Sequence, residues 1–109
     1  MNLDEFWVAL ASHCTKETWH QENIKYNDKL VLSIIRSDGY ECPLSDLASK
    51  MFPDENYFNS GDFESAGLAL GIEHKIIGQI ANAADGRGFY NKDIRDKLIE
   101  ILRPESIVE

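Results

Sequence analysis

The chain has 109 residues, of which 43% are hydrophobic, and its formal net charge at neutral pH is −8. This length predicts one domain over residues 1–109, and the hydrophobic content is typical of a folded protein, not of a disordered one. No apolar run approaches the roughly 20 residues that cross a bilayer, and acids follow the first methionine where a signal peptide carries bases.

The negative charge is concentrated in the first half of the sequence. Residues 1–62 carry 11 acids and 5 bases, a net charge of −6, and residues 63–109 carry 8 acids and 6 bases, a net charge of −2. An acidic surface repels nucleic acid and membranes and favours a basic partner. Cys14 and Cys42 are too few and too far apart for a disulfide framework, which predicts free thiols and a cytoplasmic location.

Two helices are predicted in the first 40 residues. Asn2 and Glu5 have the spacing of a capping box, and apolar residues at helical intervals extend the first helix over residues 3–16. Residues 17–26 have no clear period and predict a loop or an irregular turn. A second helix is predicted from Asn27 or Asp28 to Gly39, although the β-branched residues within it also permit a strand.

Pro43 suits the first position of a third helix, which is expected to end at Pro53. Its inner face is predicted to contain Leu44, Leu47, Ala48 and Met51. A polar loop follows, and either Ser60 or Asp62 is expected to cap the next helix.

Residues 63–84 predict two short helices that meet at Gly71. One continuous helix would contain Gly67, Gly71 and Gly78, at a cost of about 3 kcal/mol relative to alanine, so a break is favoured. The spacing of small and apolar residues around that break is typical of a helix-turn-helix. Beyond it, a glycine-rich turn predicts a small hairpin near 85–91, and Asn91 is expected to cap a last helix.

These elements predict a mostly α fold, a single compact domain of five to six short helices with the small hairpin near 85–91. Its core is predicted to contain Leu10, Leu30, Ile34, Leu47, Leu70, Ile77, Ile80, Leu98 and Ile101.

Aromatic residues in acidic segments favour a protein interface. Trp19, Tyr57 and Phe58 lie in polar stretches where core residues are less expected, and Asp54 and Glu55 precede two of them. Such a combination suits a basic protein partner, although the same rings could fold back over the core. The sequence therefore predicts a small, non-catalytic interaction or regulatory protein of the antitoxin, immunity or adaptor kind.

The alternative hypothesis is a DNA-binding regulator that uses residues 63–92 and acts as a dimer. In that case the second helix would begin near Glu73 and present its polar side chains to the major groove, while a wing would follow. With residues 28–52 as two preceding helices, the layout resembles the winged helix-turn-helix group over about 65 residues. The nucleic-acid-binding residues would then be His74, Lys75, Gln79, Arg87 and Lys92.

No motif predicts catalysis, a metal site or a cofactor. His13, Cys14 and His20 lack the paired spacing of a zinc site. Residue 77 is isoleucine, so the Glu73–His74 pair does not begin a metalloprotease motif, and the residues around Gly86 fail the calcium-loop pattern. We therefore expect no catalytic residues, no metal ligands and no cofactor.

Overall fold

The computed structural model describes residues 1–38, 42–55, 57, 63–88 and 90–105. Within these ranges the chain folds as one compact domain with five helices and one antiparallel hairpin, so the fold is mixed α/β and not purely helical. The elements in chain order are α1 (Leu3–His13), β1 (Trp19–Tyr26), β2 (Lys29–Arg36), α2 (Pro43–Met51), α3 (Phe63–Ala69), α4 (His74–Asp85) and α5 (Lys92–Leu102).

The first helix begins with the predicted capping box. The Asn2 side chain accepts a hydrogen bond from the Glu5 amide at 2.8 Å, and the Asn2 amide donates to Glu5 Oε1 at 2.9 Å. Both bonds satisfy amides that have no partner inside the helix. The helix ends at His13, three residues before the predicted end, and it buries Phe6 and Leu10 in the core.

The hairpin replaces the loop predicted at 17–26 and the helix predicted from 27 to 39. Both predictions are wrong for the described residues, because Trp19 pairs with Arg36 and Tyr26 with Lys29 in one continuous antiparallel ladder. The two residues of its turn, Asn27 and Asp28, have φ values of 47° and 61°. Asn and Asp tolerate this left-handed conformation, which a two-residue type I′ hairpin turn requires at both central positions.

Two further predictions fail with that helix. Leu30 lies near the tip of the hairpin and is 73% exposed, so it does not belong to the core. The winged-helix layout also loses the first of its two preceding helices, since residues 29–36 form β2. The second, α2, is present as predicted with Pro43 in its first turn.

The break at Gly71 is confirmed. Gly71 has a φ of 74°, a left-handed conformation that glycine adopts without steric cost. Across the corner, Gly67 of α3 lies against Ile77 of α4, and a β-carbon at position 67 would stand 2.5 Å from Ile77 Cγ1. The amino group of Met1 donates to the carbonyl oxygens of Leu70 and Gly71 at 3.0 and 2.7 Å, so it satisfies the end of α3.

The described residues of the range 85–91, which are 85–88, 90 and 91, form no strand, so the small hairpin predicted near 85–91 is not found among them. Gly86 ends α4 in a left-handed conformation beneath β2, where a β-carbon would stand 2.3 Å from the Leu32 carbonyl oxygen.

Asn91 caps α5 as predicted. Arg95 of α5 is buried and donates to the carbonyls of Ala83 and Ala84 at 2.6 and 3.0 Å, which joins α5 to the end of α4.

The core lies between the helices and the inner half of the hairpin. Ile101 is only partly buried there, while the other predicted core residues apart from Leu30 are confirmed: Leu10, Ile34, Leu47, Leu70, Ile77, Ile80 and Leu98. No helix in the described ranges is long and apolar enough to cross a membrane.

Candidate functional site

The end of α2 presents apolar and acidic side chains together. Met51 and Phe52 are 38% and 36% exposed, although Met51 was predicted to face the core. The amide of Phe52 donates to the Ala48 carbonyl at 2.8 Å and the amide of Glu55 to the Phe52 carbonyl at 3.0 Å, so the chain turns tightly here. This turn leaves Asp54 and Glu55 exposed directly after the two apolar residues. We call Met51, Phe52, Asp54 and Glu55 the α2-end surface.

The charge of the α2-end surface is not neutralised within the described part of the chain. Neither Asp54 nor Glu55 forms an ion pair there. Tyr57, two residues on, is half-buried and packs against the core. The surface therefore offers two carboxylates without an ion-pair partner among the described residues, beside two partly exposed apolar side chains.

One aromatic residue predicted for a protein interface, Trp19, does not belong to this surface. Trp19 is 1% exposed and fills the core at the start of β1, where its indole nitrogen donates to the Cys14 carbonyl at 2.8 Å. It is therefore a structural residue, as the core alternative allowed. Phe58 lies outside the described residues. The exposed ring of the α2-end surface is Phe52, which sequence reasoning missed because it directly follows a helix face of apolar residues.

The residues predicted to bind nucleic acid are divided among three places. Lys75 is exposed and Gln79 half-exposed on one side of α4, while His74 pairs with Glu64 through an Nδ1–Oε1 distance of 2.9 Å. Lys92 is exposed at the start of α5. Arg87 Nη2 lies 2.8 Å from Asp85 Oδ2, so its charge is already paired.

The opposite side of α4 is embedded in the protein. Ile77, Ile80, Ala81, Ala83 and Ala84 are buried, and α4 packs against α2, α3, α5 and β2. What remains exposed is a narrow polar stripe that contains one free cation, Lys75, among the described residues of this helix.

A buried ionic cluster, which sequence reasoning missed, joins the hairpin to α2. Arg36 of β2 donates to Asp46, which is almost fully buried, and its Nε donates to Asp38 Oδ1 at 2.7 Å. Lys50, one turn after Asp46, lies 3.4 Å from the same carboxylate and also binds Glu17. Charged groups this deep in a protein are retained when they are paired, so the cluster fixes the position of the hairpin.

The cluster also contributes to the raised pKa of the nearest thiol, Cys14. Burial, followed by the neighbouring charge of Asp46, raises the pKa of Cys14 well above its ordinary value. Burial acts to raise the pKa of Glu17 too, but the hydrogen bond and charge of Lys50 outweigh it and lower that pKa overall. A buried neutral thiol is a poor nucleophile, so we assign Cys14 to the core.

Compared with protein-family models, curated proteins and solved structures, the chain matches none of them significantly. Its function must therefore be argued from the surfaces described above. The α2-end surface combines exposed apolar groups with unpaired charge, whereas α4 presents mainly a narrow polar stripe.

Proposed function

We propose that the chain is a small, non-catalytic interaction or regulatory protein that binds another macromolecule, in the manner of an antitoxin, immunity or adaptor protein. The observation that carries this proposal is the α2-end surface, where Met51 and Phe52 are exposed beside two carboxylates that form no ion pair with any described residue. Methionine and phenylalanine are enriched in the centres of protein interfaces. A cytoplasmic location belongs to the same proposal, since both cysteines are free.

The chemistry of this surface favours a basic protein partner. Phe52 and Met51 supply apolar surface, and its burial against a partner would stabilise the complex. Asp54 and Glu55 attract lysine or arginine, and because they are exposed they act mainly on the rate and the selectivity of association. We therefore expect Phe52 to determine how slowly the complex dissociates and the two acids to determine which partners approach.

Charge reversal at the α2-end surface tests the proposal. The double variant Asp54→Lys/Glu55→Lys is compared with Asp96→Lys/Glu100→Lys, which changes the net charge equally on exposed positions of α5. Each protein serves as bait in a nuclease-treated lysate of the native host.

The proposal predicts a discrete basic protein that wild type and the α5 variant capture and that the Asp54→Lys/Glu55→Lys variant loses. Equal capture by all three baits would contradict it, because the α2-end surface would then make no contribution. Thermal unfolding of each bait establishes that a loss of capture does not come from a loss of folding.

A helix-turn-helix DNA-binding regulator is the second candidate, and the corner at Gly71 together with the exposed stripe of α4 favours it. Lys75 and Gln79 lie four residues apart on this stripe, a spacing that places both side chains over the same groove. Duplex binding that weakens steeply with salt, and that Lys75→Glu abolishes, would support this candidate. Capture that survives nuclease treatment favours the protein partner instead.

A further inference from the structure

A cleft opens between the hairpin and the end of α4. Its inner chamber has a volume of about 230 Å³ and is lined mainly by apolar side chains of the hairpin, α3 and α4, including Ile24, Val31, Phe63 and Ala81. Its outer chamber, of about 480 Å³, is lined by polar groups of the hairpin turn and of the turn after α4. Tyr26, Val31 and Arg87 line both chambers, so the two form one continuous site, which we call the hairpin cleft.

Arg87 borders both chambers. Its guanidinium carbon lies 4.3 Å from the centre of the Tyr26 ring, and its Nη2 is 2.8 Å from Asp85 Oδ2. Its Nε is buried and has no hydrogen-bond partner among the described residues. The stacking and the ion pair therefore hold the guanidinium in place, and part of its hydrogen-bonding capacity is left unused.

The hairpin cleft is a cationic site on an acidic protein. Lys29 lines the outer chamber and forms no ion pair with any described residue. Arg87 is paired with Asp85, the one carboxylate among the described lining residues of either chamber, so Lys29 supplies the net positive charge of the lining. Asp28, beside Lys29 in the turn, is directed to Lys25 at 3.8 Å. The local charge favours an anion in the outer chamber.

The inner chamber has the size and character of a site for a single ring. An apolar cavity of about 150 Å³ is large enough to hold benzene, and the inner chamber exceeds that volume. The Ser33 hydroxyl already donates its hydrogen to the Asp85 carbonyl at 3.1 Å, so it does not donate to a ligand. Burial raises the pKa of Cys42 to about 11, so this thiol is neutral and lines the chamber without reacting.

We propose that the hairpin cleft binds a small aromatic carboxylate, with its ring between Ile24, Val31 and Ala81 and its carboxylate directed toward Lys29 and Arg87. The ring would cover the apolar side chains of the inner chamber, and the carboxylate would meet the ammonium group of Lys29 and the remaining donor capacity of Arg87 beside the polar turn. This site is independent of the partner surface at the end of α2, so either proposal can fail without the other.

Phenylacetate is a suitable ligand for the test, and two matched compounds separate its features. 2-Phenylethylamine keeps the ring and reverses the charge, while acetate keeps the charge and lacks the ring. Each is titrated into isotopically labelled protein and followed by amide chemical shifts. Phenylacetate should shift signals of the cleft, such as those of Val31 and Ala81, at concentrations where the other two compounds shift them little.

Substitution of the exposed Lys29 identifies the anion contact without disturbing the core. Lys29→Gln should weaken phenylacetate binding about two- to fivefold, the range of one exposed ion pair, and Lys16→Gln, an exposed control outside the cleft, should leave it unchanged. Ala81→Leu should weaken binding because the larger side chain takes up part of the inner chamber, and a thermal melt establishes whether that variant is folded.

Three results would overturn the proposal: no shifts in the cleft up to the solubility limit of phenylacetate, equal binding of 2-phenylethylamine, or an unchanged affinity in Lys29→Gln. None of these depends on a macromolecular partner.

Discussion

Gly67 and Gly78 lie in the two helices that meet at the Gly71 corner, and they differ in what surrounds them. A β-carbon added at Gly67 would stand 2.5 and 2.6 Å from Ile77 Cγ1 and Cδ1, so the buried isoleucine would have to move. A β-carbon at Gly78 would meet nothing within 4 Å. The substitutions Gly67→Ala and Gly78→Ala therefore place the same methyl group in a filled and in an open position.

The size of the effect follows from two opposing contributions. Alanine is favoured over glycine inside a helix by about 0.5–1 kcal/mol, and both variants gain this contribution. Overpacking of a filled core costs about 1–3 kcal/mol, and only Gly67→Ala incurs it. We expect Gly78→Ala to raise the free energy of unfolding by up to about 1 kcal/mol and Gly67→Ala to lie about 1–3 kcal/mol below it.

Urea unfolding followed by circular dichroism measures this difference, and an unchanged denaturant slope for both variants allows the midpoints to be compared. Because helix propensity cancels between the two variants, the difference reports the contact between Gly67 and Ile77. If Gly67→Ala were as stable as Gly78→Ala, α3 and α4 would not approach as closely as described, and the account of the corner would be wrong.

Three further predictions concern the cap of α5, the ionic cluster and the thiols. Asn91→Ala should lower the free energy of unfolding by about 1 kcal/mol through loss of the helix cap, and a loss below the error of urea unfolding would refute the cap. The pKa of Glu17 is lowered in the folded protein, so its contact with Lys50 stabilises the fold above the ordinary pKa of 4.5 and loses this effect as the pH falls through the lowered value. Glu17→Gln should thus cost up to about 1 kcal/mol at neutral pH and progressively less in acid, and a cost that grew in acid would contradict the assignment. Cys14 and Cys42 should resist a thiol reagent at mildly alkaline pH until the protein unfolds, and labelling faster than unfolding would show that one of them is accessible.

The starts of α1 and α5 and the corner at Gly71 could be predicted because local chemistry determines them. Asn2 with Glu5 and Asn91 bond to backbone amides within three residues of themselves, and Gly71 takes a conformation that its own backbone permits. Such signals need no knowledge of the rest of the chain. The corner between α3 and α4 was predictable for the same reason, since small and apolar residues at Gly67 and Ile77 occupy the required positions.

The hairpin could not be predicted as readily, because its burial depends on residues far along the sequence. Arg36 resembles a helix surface residue, yet Asp46 neutralises it in the interior. Trp19 lies in a polar segment, and only the pairing of β1 with β2 carries it into the core. The Asn27–Asp28 pair was interpreted as a helix start, although the same residues suit a tight hairpin turn.

The candidate site was predictable in part. Asp54 and Glu55 were expected at a protein interface and both lie exposed, but the adjoining apolar group is Phe52 instead of Trp19. Helical periodicity does not show where a helix ends relative to the core, so the exposure of Met51 could not be anticipated. The hairpin cleft depends on the contact between the hairpin and α4, which no local pattern specifies.

Site-specific photo-crosslinking in the native host tests the proposed partner surface most directly. A photoreactive phenylalanine analogue replaces Phe52 in one protein and Leu30, an exposed apolar residue of the hairpin, in the control. We predict a discrete protein adduct at position 52 that resists nuclease and that is absent at position 30. No adduct at position 52, the same adducts from both positions, or an adduct with nucleic acid would contradict the account.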